Sequence, residues 1–396
     1  MFPYCSSCKA KKNLCGLGYC PIIQNVKQAV PSIRRITGVE ETDTPPGIFV
    51  GSYGYPSVLA GPTALYQRDL FDYSRDRRAM SMEDIISTNS NVYRTATSVN
   101  VKRPDSSISE YILESASSTK NFEIEFTANH FTARRMEDGD FFETPVGSTA
   151  MVSGLRVTGN PKIPQIVDYL HEDPYVKASD AIMKLYTKGF KPEYLQNIVA
   201  GGIVGLKNNR KMVPTRWSIT ATDDMIFKQM KQEILRYDWI PEIRVFNNTF
   251  LGNNFQVILL PGPFSFEMLE QWNRGSLWGQ GSVAIDYEGT RGRTTYASAI
   301  TGAYYAARLS AVQYLKTIRR QASIIVIRNI GPEYYSPLGV WVIRSGVEES
   351  FSKPMEKFDS TQTLVKEKQF IIPETRTKSR ILKEQTSQRR LMDFNE

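Results

Sequence analysis

Apolar positions recur along this chain with two different periods. Phe122, Ile124 and Phe126 alternate with Glu123 and Glu125, the two-residue period of a strand with one face in water. Ile108, Tyr111, Ile112 and Ser115 lie on one side of a helical wheel and predict a helix over 105–118, with Asp105 as its cap. Two shorter helices are predicted over 175–187 and 192–199, parted by Gly189. The second half carries short apolar runs bounded by Gly, Pro or Asn, at 257–260, 283–285, 324–327 and 340–343, which read as buried strands. Between them stand the segment 264–272 and a long Ala- and Tyr-rich helix over 297–320, expected to be mostly buried. A helix over 224–237 follows an apolar–polar alternation ending at Ala221, which puts Asp223 and Asp224 at its start.

Strands and helices intermingle without a regular βαβ rhythm, so α+β is the expected class. The 396 residues allow one or two packed cores. The expected organisation is a basic cysteine module and linker at 1–38, then an N-terminal α+β part at 48–210 and a C-terminal α+β part at 211–352. A Pro- and Thr-rich connector at 40–47 follows the head, and the boundary between the two parts is expected at 205–215. The stretch 353–396 is predicted to be a flexible tail, because composition turns polar after Phe351 and few apolar residues remain from Thr375. Apolar and charged fractions of 41% and 23% are those of an ordinary soluble protein. No stretch approaches the roughly 20 uninterrupted apolar residues that span a bilayer, and the start lacks a secretory pattern. A cytoplasmic chain with no membrane partner is the expectation.

Charge changes this picture at one end. The net charge of +8 is modest for the length, but no acidic residue precedes Glu40, whereas Lys9, Lys11, Lys12, Lys27, Arg34 and Arg35 all do. A basic head on a balanced body fits a polyanion met at the N-terminus; a solvated face that only aids solubility is the plainer alternative. The same head holds every cysteine, spaced C-x2-C-x6-C-x4-C. A CxxC pair can bring two thiolates to one cation through a tight turn, and two such corners complete a tetrahedral zinc site at about 2.3 Å per Zn–S bond. Lys11-Lys12-Asn13 and Gly16-Leu17-Gly18 supply the turn residues that short chelating loops need. Two disulfides would require a strained CxxC closure in an oxidising compartment. A thioredoxin-like redox pair would require a βαβ pattern around it. Cys5, Cys8, Cys15 and Cys20 therefore read as ligands of one structural Zn²⁺. Four thiolates leave no position open for water, so such a site is architectural and not hydrolytic.

The chain closes on Gln388-Arg389-Arg390-Leu391-Met392-Asp393-Phe394. A glutamine, an aliphatic residue three positions on and an aromatic three further on is the pattern of peptides that dock on DNA sliding clamps. In one turn of 3₁₀ helix the side chains at i and i+3 eclipse, so Leu391 and Phe394 form one apolar plug. Gln388 can place its amide in a small polar pocket beside it, and Met392 belongs to the same set. Asn395 stands where a second aromatic is usual, which lowers the expected affinity. A segment that packs back on the body is the alternative, although so short a piece does not make a stable helix alone.

Taken together, the four-cysteine head, Val213-Pro214-Thr215-Arg216-Trp217-Ser218, Leu260-Pro261-Gly262-Pro263-Phe264-Ser265-Phe266-Glu267 and the closing glutamine motif resemble the archaeal Nre family of DNA repair proteins. Pro337-Leu338-Gly339-Val340-Trp341 fits the same family, and the resemblance runs through the whole chain. It implies a role in DNA damage repair, a C4-type zinc finger at the N-terminus and a tail that engages the clamp PCNA. It implies no particular chemistry.

Catalytic candidates in the body are sparse. The only histidines, His130 and His171, stand apart in sequence. His130, with Arg134, Arg135, Glu137, Asp138 and Asp140 nearby, could bind a phosphate or a divalent ion, although a solvated charged loop is the commoner origin of such a mixture. Asp223 and Asp224 could hold Mg²⁺ or Mn²⁺ at a strand–helix junction with Arg216 on a phosphate, joined by Asp286 and Glu288; first-turn acids that stabilise a helix dipole are the plainer reading. Arg291 and Arg293, in a Gly–Thr loop, are candidate phosphate contacts.

The leading expectation is a repair protein, recruited by the clamp, that touches DNA through Lys9, Lys11, Lys12, Arg34, Arg35 and Arg216 without reading sequence. A nucleoid-associated location would follow. A metal-dependent nuclease or nucleotide-processing enzyme is the alternative, and a non-catalytic scaffold joining the clamp to other repair proteins is a third reading.

Overall fold

The computed structural model describes residues 5–8, 12–20, 24, 35–68, 75–102, 107–132, 148–276, 279 and 281–387. The chain divides into two compact units, Pro21–Ile226 in one and Met1–Cys20 with Phe227–Glu396 in the other. Both mix helices with a six-stranded sheet.

The N-terminal unit is built in the order β1 (Gly38–Thr44), β2 (Ile48–Val50), β3 (Ser57–Leu65), α1 (Met82–Ser90), β4 (Val92–Asn100), α2 (Ser107–Ser117), β5 (Phe122–Thr132), β6 (Thr149–Val157), α3 (Gln165–Glu172), α4 (Ala178–Thr187) and α5 (Pro192–Gly201). Its strands lie in the order β1-β5-β6-β4-β3-β2. Only the β4–β6 pairing is parallel; the other neighbours are antiparallel. β5 shows why the alternation matters. Phe122, Ile124, Phe126 and Ala128 turn inward while Glu123, Glu125 and Thr127 stay half-exposed. The inward set joins a core in which the rings of Tyr93, Tyr66, Phe126 and Phe131 meet at 4.7–6.4 Å. β3 can run beside β4 past Pro62 because Gly61 lacks a side chain: a Cβ there would stand 2.2 Å from the Thr95 carbonyl oxygen.

Helix α6 (Thr215–Ile234) follows, and the division between the units falls inside it. The sequence places the boundary at 205–215, ahead of this helix. Pro214 starts the helix, and the next twenty residues contain no Gly or Pro to stop it. Asp223 and Asp224 consequently sit in mid-helix, not in a first turn as expected at 224–237. Within that alternation Ser218 is buried and Trp217 exposed, so it does not mark the two faces of a strand.

The C-terminal unit continues with β7 (Ile243–Phe250), β8 (Asn253–Leu260), β9 (Ser265–Trp272), β10 (Val283–Glu288), α7 (Gly302–Ile318), β11 (Ser323–Ile330), α8 (Trp341–Ser350), β12 (Met355–Phe358), α9 (Thr361–Glu367), α10 (Thr375–Lys378) and α11 (Arg380–Ser387). The sheet order is β10-β9-β11-β8-β7-β12, with β9 and β11 parallel and the rest antiparallel. Every residue of β11 is buried, so this strand is covered on both faces. One face carries Val245, Ile258, Leu260, Leu269, Ile325 and Ile327 and packs with Leu364, Phe370, Ile372, Ile381 and Leu382 from the C-terminal segment. The opposite face meets α7 and α8: Phe266 lies edge-on to Tyr304 at 5.0 Å, and Phe246 to Tyr314 at 5.6 Å. A Cβ on Gly346 of α8 would come within 2.2 Å of the Phe255 ring, so only glycine permits that approach.

Two sequence expectations change here. The run 340–343 is the start of α8 and not a strand, because Val342, Ile343, Gly346, Val347 and Ser350 are buried at helical spacing beyond the four-residue run. The stretch 353–396, read as a flexible tail, carries one strand and three helices as far as Ser387. Its few apolar residues are spread over several short elements and are mostly core, so no single window looks periodic. Among the described residues no helix is long and apolar enough to cross a membrane.

Candidate functional site

The head residues come first in the chain. Cys5–Cys8 is one helical turn, which sets its two thiols at positions i and i+3 on one side. The Lys12 N–H donates to the Cys8 carbonyl at 3.3 Å, and the Gly16 N–H to Asn13 O at 3.1 Å, with Gly16 at φ 71°. These turns fold 12–20 back after the helix. Cys15 donates its thiol to Asn13 Oδ1 at 3.7 Å. Cys8 is buried and Cys5, Cys15 and Cys20 are half-buried. Among the described residues no three His, Cys, Asp or Glu side chains stand close enough to hold a metal ion. The donor set itself, four thiols in sixteen residues, suits a borderline-soft divalent cation. Lys12, Arg35 and Arg216 are exposed, and Arg216 stands in the first turn of α6. Lys9, Lys11, Lys27 and Arg34, and the clamp-motif residues Gln388, Leu391, Met392 and Phe394, lie outside the described residues.

His130 is exposed on β5, and its companions Arg134, Arg135, Glu137, Asp138 and Asp140 also lie outside the described residues. His171 has a structural position, with Nδ1 2.9 Å from the Ile203 carbonyl oxygen.

The densest chemistry is in the C-terminal unit, on the face of the sheet that meets α7. Strand alternation points Asp286 and Glu288 of β10 and Glu270 of β9 to that face. Asp286 Oδ2 accepts the N–H groups of Ala299 at 3.1 Å and Ile300 at 2.8 Å, and Oδ1 meets Arg293 at 3.0 Å. Arg293 in turn donates to the carbonyls of Tyr287, Thr295 and Tyr296, so it ties the Gly–Thr loop to the edge strand. Glu288 pairs with Arg308 at 2.7 Å with both side chains almost wholly buried. The Arg308 guanidinium lies 3.6 Å over the Phe227 ring. Lys231, only 9% exposed, holds its amine 5.2 Å from the Phe264 ring centre and 5.8 Å from that of Phe227. Burial lowers its pKa, against the pull of Glu288. Burial and the nearby Glu288 raise that of Tyr304. Among the described residues, the buried Glu288 Oε1 finds no hydrogen-bond partner. Farther along the same face Arg328 pairs with Glu270 at 2.7 Å and donates twice to Asn253 Oδ1.

On the other face, buried Glu267 accepts from the Ser379 hydroxyl at 2.6 Å and from the N–H groups of Arg380 at 2.8 Å and Ile381 at 3.2 Å. It fastens the start of α11. Burial raises its pKa and these three hydrogen bonds pull it down, with burial the larger effect.

These carboxylates are committed to arginines and N–H groups. Asp286 and Glu288 each hold an arginine and so organise this unit. Asp286 and Arg293 do meet, as one loop-holding pair. Arg291 is exposed beside them. Sequence reading passed over Lys231, Glu270, Arg308 and Arg328, and met Glu267 only as the end of a family motif. The available signal was an ionisable residue interrupting an apolar run, as Arg308 does within the Ala-rich α7.

Comparison with known proteins matches the family described as archaeal Nre, N-terminal, over residues 14–279, and archaeal Nre, C-terminal, over residues 288–394. The chain is 35% identical over 360 residues to the DNA repair protein NreA of Archaeoglobus fulgidus, covering 90% of each chain. It is 32% identical over 364 residues to NreB of the same organism, again over 90% of each. NreA of Haloferax volcanii is 30% identical over 325 residues, 78% of this chain and 77% of that one. No solved structure matches. With both halves matched and identity sustained along its length, the chain belongs to the archaeal Nre family.

Proposed function

We propose that this protein acts in DNA repair, binding DNA without sequence preference and joining the sliding clamp PCNA through its C-terminal motif. The observation that carries the reading is identity over 90% of both chains with relatives named as DNA repair proteins. The basic residues of the head and Arg216 supply charge for phosphate contacts. Cys5, Cys8, Cys15 and Cys20 would hold a structural Zn²⁺, which when bound fixes the head without opening a position for chemistry. Gln388 follows directly on α11, whose Ile381 and Leu382 are in the core. The proposed clamp motif therefore begins one residue after a helix packed on the core. Other repair proteins could be gathered on the same clamp.

The test is size-exclusion chromatography with the clamp, using the intact chain and a chain lacking 388–396. Co-elution of the intact chain alone, at unchanged thermal midpoint, is the expected result. Co-elution of both chains would remove the motif from the reading.

A further inference from the structure

Two tyrosines of the N-terminal unit stand in water, Tyr169 on α3 and Tyr175 on the turn that follows it. Tyr175 is 85% exposed and Tyr169 59%. Tyr175 lies between α3 and α4, where Asp173 accepts the N–H groups of Tyr175 at 2.9 Å and Val176 at 3.2 Å. The Pro174 carbonyl accepts the Lys207 N–H at 3.0 Å. Arg210 then donates to the carbonyls of Gly205, His171 and Asp173, which ties the end of α3 to the loop 205–210. The backbone around Tyr175 is thus pinned while its ring stays in water, without the hydrophobic return of burial.

Lysines accompany both rings. The Lys184 amine lies 5.1 Å from the Tyr169 ring centre. Lys177 follows Tyr175 by two residues, Lys207 bonds to the residue before it, and all three lysines are exposed. From 162 to 211 the sequence has eight Lys and Arg against five Asp and Glu, and Asp173 is spent on the turn. Asp168 and Glu172 flank Tyr169 on α3, which confines a phosphate path to the Lys184 side.

We propose that Tyr169 and Tyr175, with Lys177, Lys184 and Lys207, form a stacking platform for single-stranded nucleic acid. Rings in solvent can stack on unpaired bases, whatever their identity, while the lysines contact the phosphates between them. Duplex bases are already stacked and cannot reach these rings, so the platform selects single strands. The inference rests on the DNA reading above and adds the place and the strand state.

The experiment is fluorescence anisotropy of the full chain with labelled oligo-dT of roughly 20 nucleotides and with a duplex of equal length. Tyr169→Ala with Tyr175→Ala should weaken single-strand binding by about tenfold or more, with duplex binding unaltered and the circular dichroism melt retained. Tyr169→Phe with Tyr175→Phe should bind as the parent does, because stacking survives loss of the hydroxyl. Equal single-strand affinity of the alanine pair and the parent overturns the platform alone. An equal loss on duplex, or a phenylalanine pair as weak as the alanine pair, overturns it too. A parent chain that binds neither probe overturns the DNA reading itself.

Discussion

Lys231 brings a positive charge to a place where aromatic faces and the neighbouring Glu288 are its company. Burial makes its folded-state pKa lower than that of a free lysine. The unfolded chain therefore holds the proton more tightly, and stability must rise with pH between the folded value and the ordinary one near 10.5. Lys231→Met removes this linkage while keeping the stem's volume. The variant should be at least as stable as the parent at neutral pH, and the parent's gain toward pH 10 should flatten. Urea denaturation at the two pH values checks this, and an equal alkaline gain in both proteins would discard the assignment. Such residues were only half legible in sequence. Glu288 and Arg308 are 20 residues apart and Glu270 and Arg328 are 58 apart, so their pairing exists only once β10, α7, β9 and β11 are assembled. What the sequence offered was a charge inside an apolar run, without its partner.

Secondary-structure elements were legible where period and length agreed. The alternation of 122–126 returned as β5, and 324–327 lies within β11. The misread elements fail for a shared reason: their decisive neighbours lie outside the window. The run 340–343 is too short to separate strand from helix, and Leu364, Phe370, Ile372, Ile381 and Leu382 reach the sheet from separate short pieces. Glu267, which belongs to the family motif, holds one of those pieces. Glu267→Ala would leave the buried Ile381 N–H and the Ser379 hydroxyl without their acceptor. The expected cost is about 1–3 kcal/mol. It should appear locally: hydrogen exchange should accelerate over 379–387, while β8 and β11 stay protected. Uniform acceleration across the unit would instead make Glu267 a support of the sheet as a whole.

For the whole molecule, the sequence put its candidate motifs at the two ends, and left the body's chemistry unread because charges there are paired at long range. Among the described residues the clusters built around Tyr93 and Ile325 contain no cysteine. Metal bound by Cys5, Cys8, Cys15 and Cys20 would then fold the head and not the body. It would also fix where Lys9, Lys11 and Lys12 present their charge, since all three lie between Cys8 and Cys15. Native mass spectrometry should find one zinc per chain. Its removal by a strong chelator should leave the melting of the body in place. DNA affinity should fall, and the slope of log affinity against log salt should become shallower by about 0.7–0.9 for each phosphate that is no longer neutralised. Three such lysines set the largest expected change at roughly 2–3. Collapse of the melt on chelation would move the zinc into the body's folding. An unchanged salt slope with the metal gone would take the head out of DNA binding and leave that task to surfaces elsewhere on the chain.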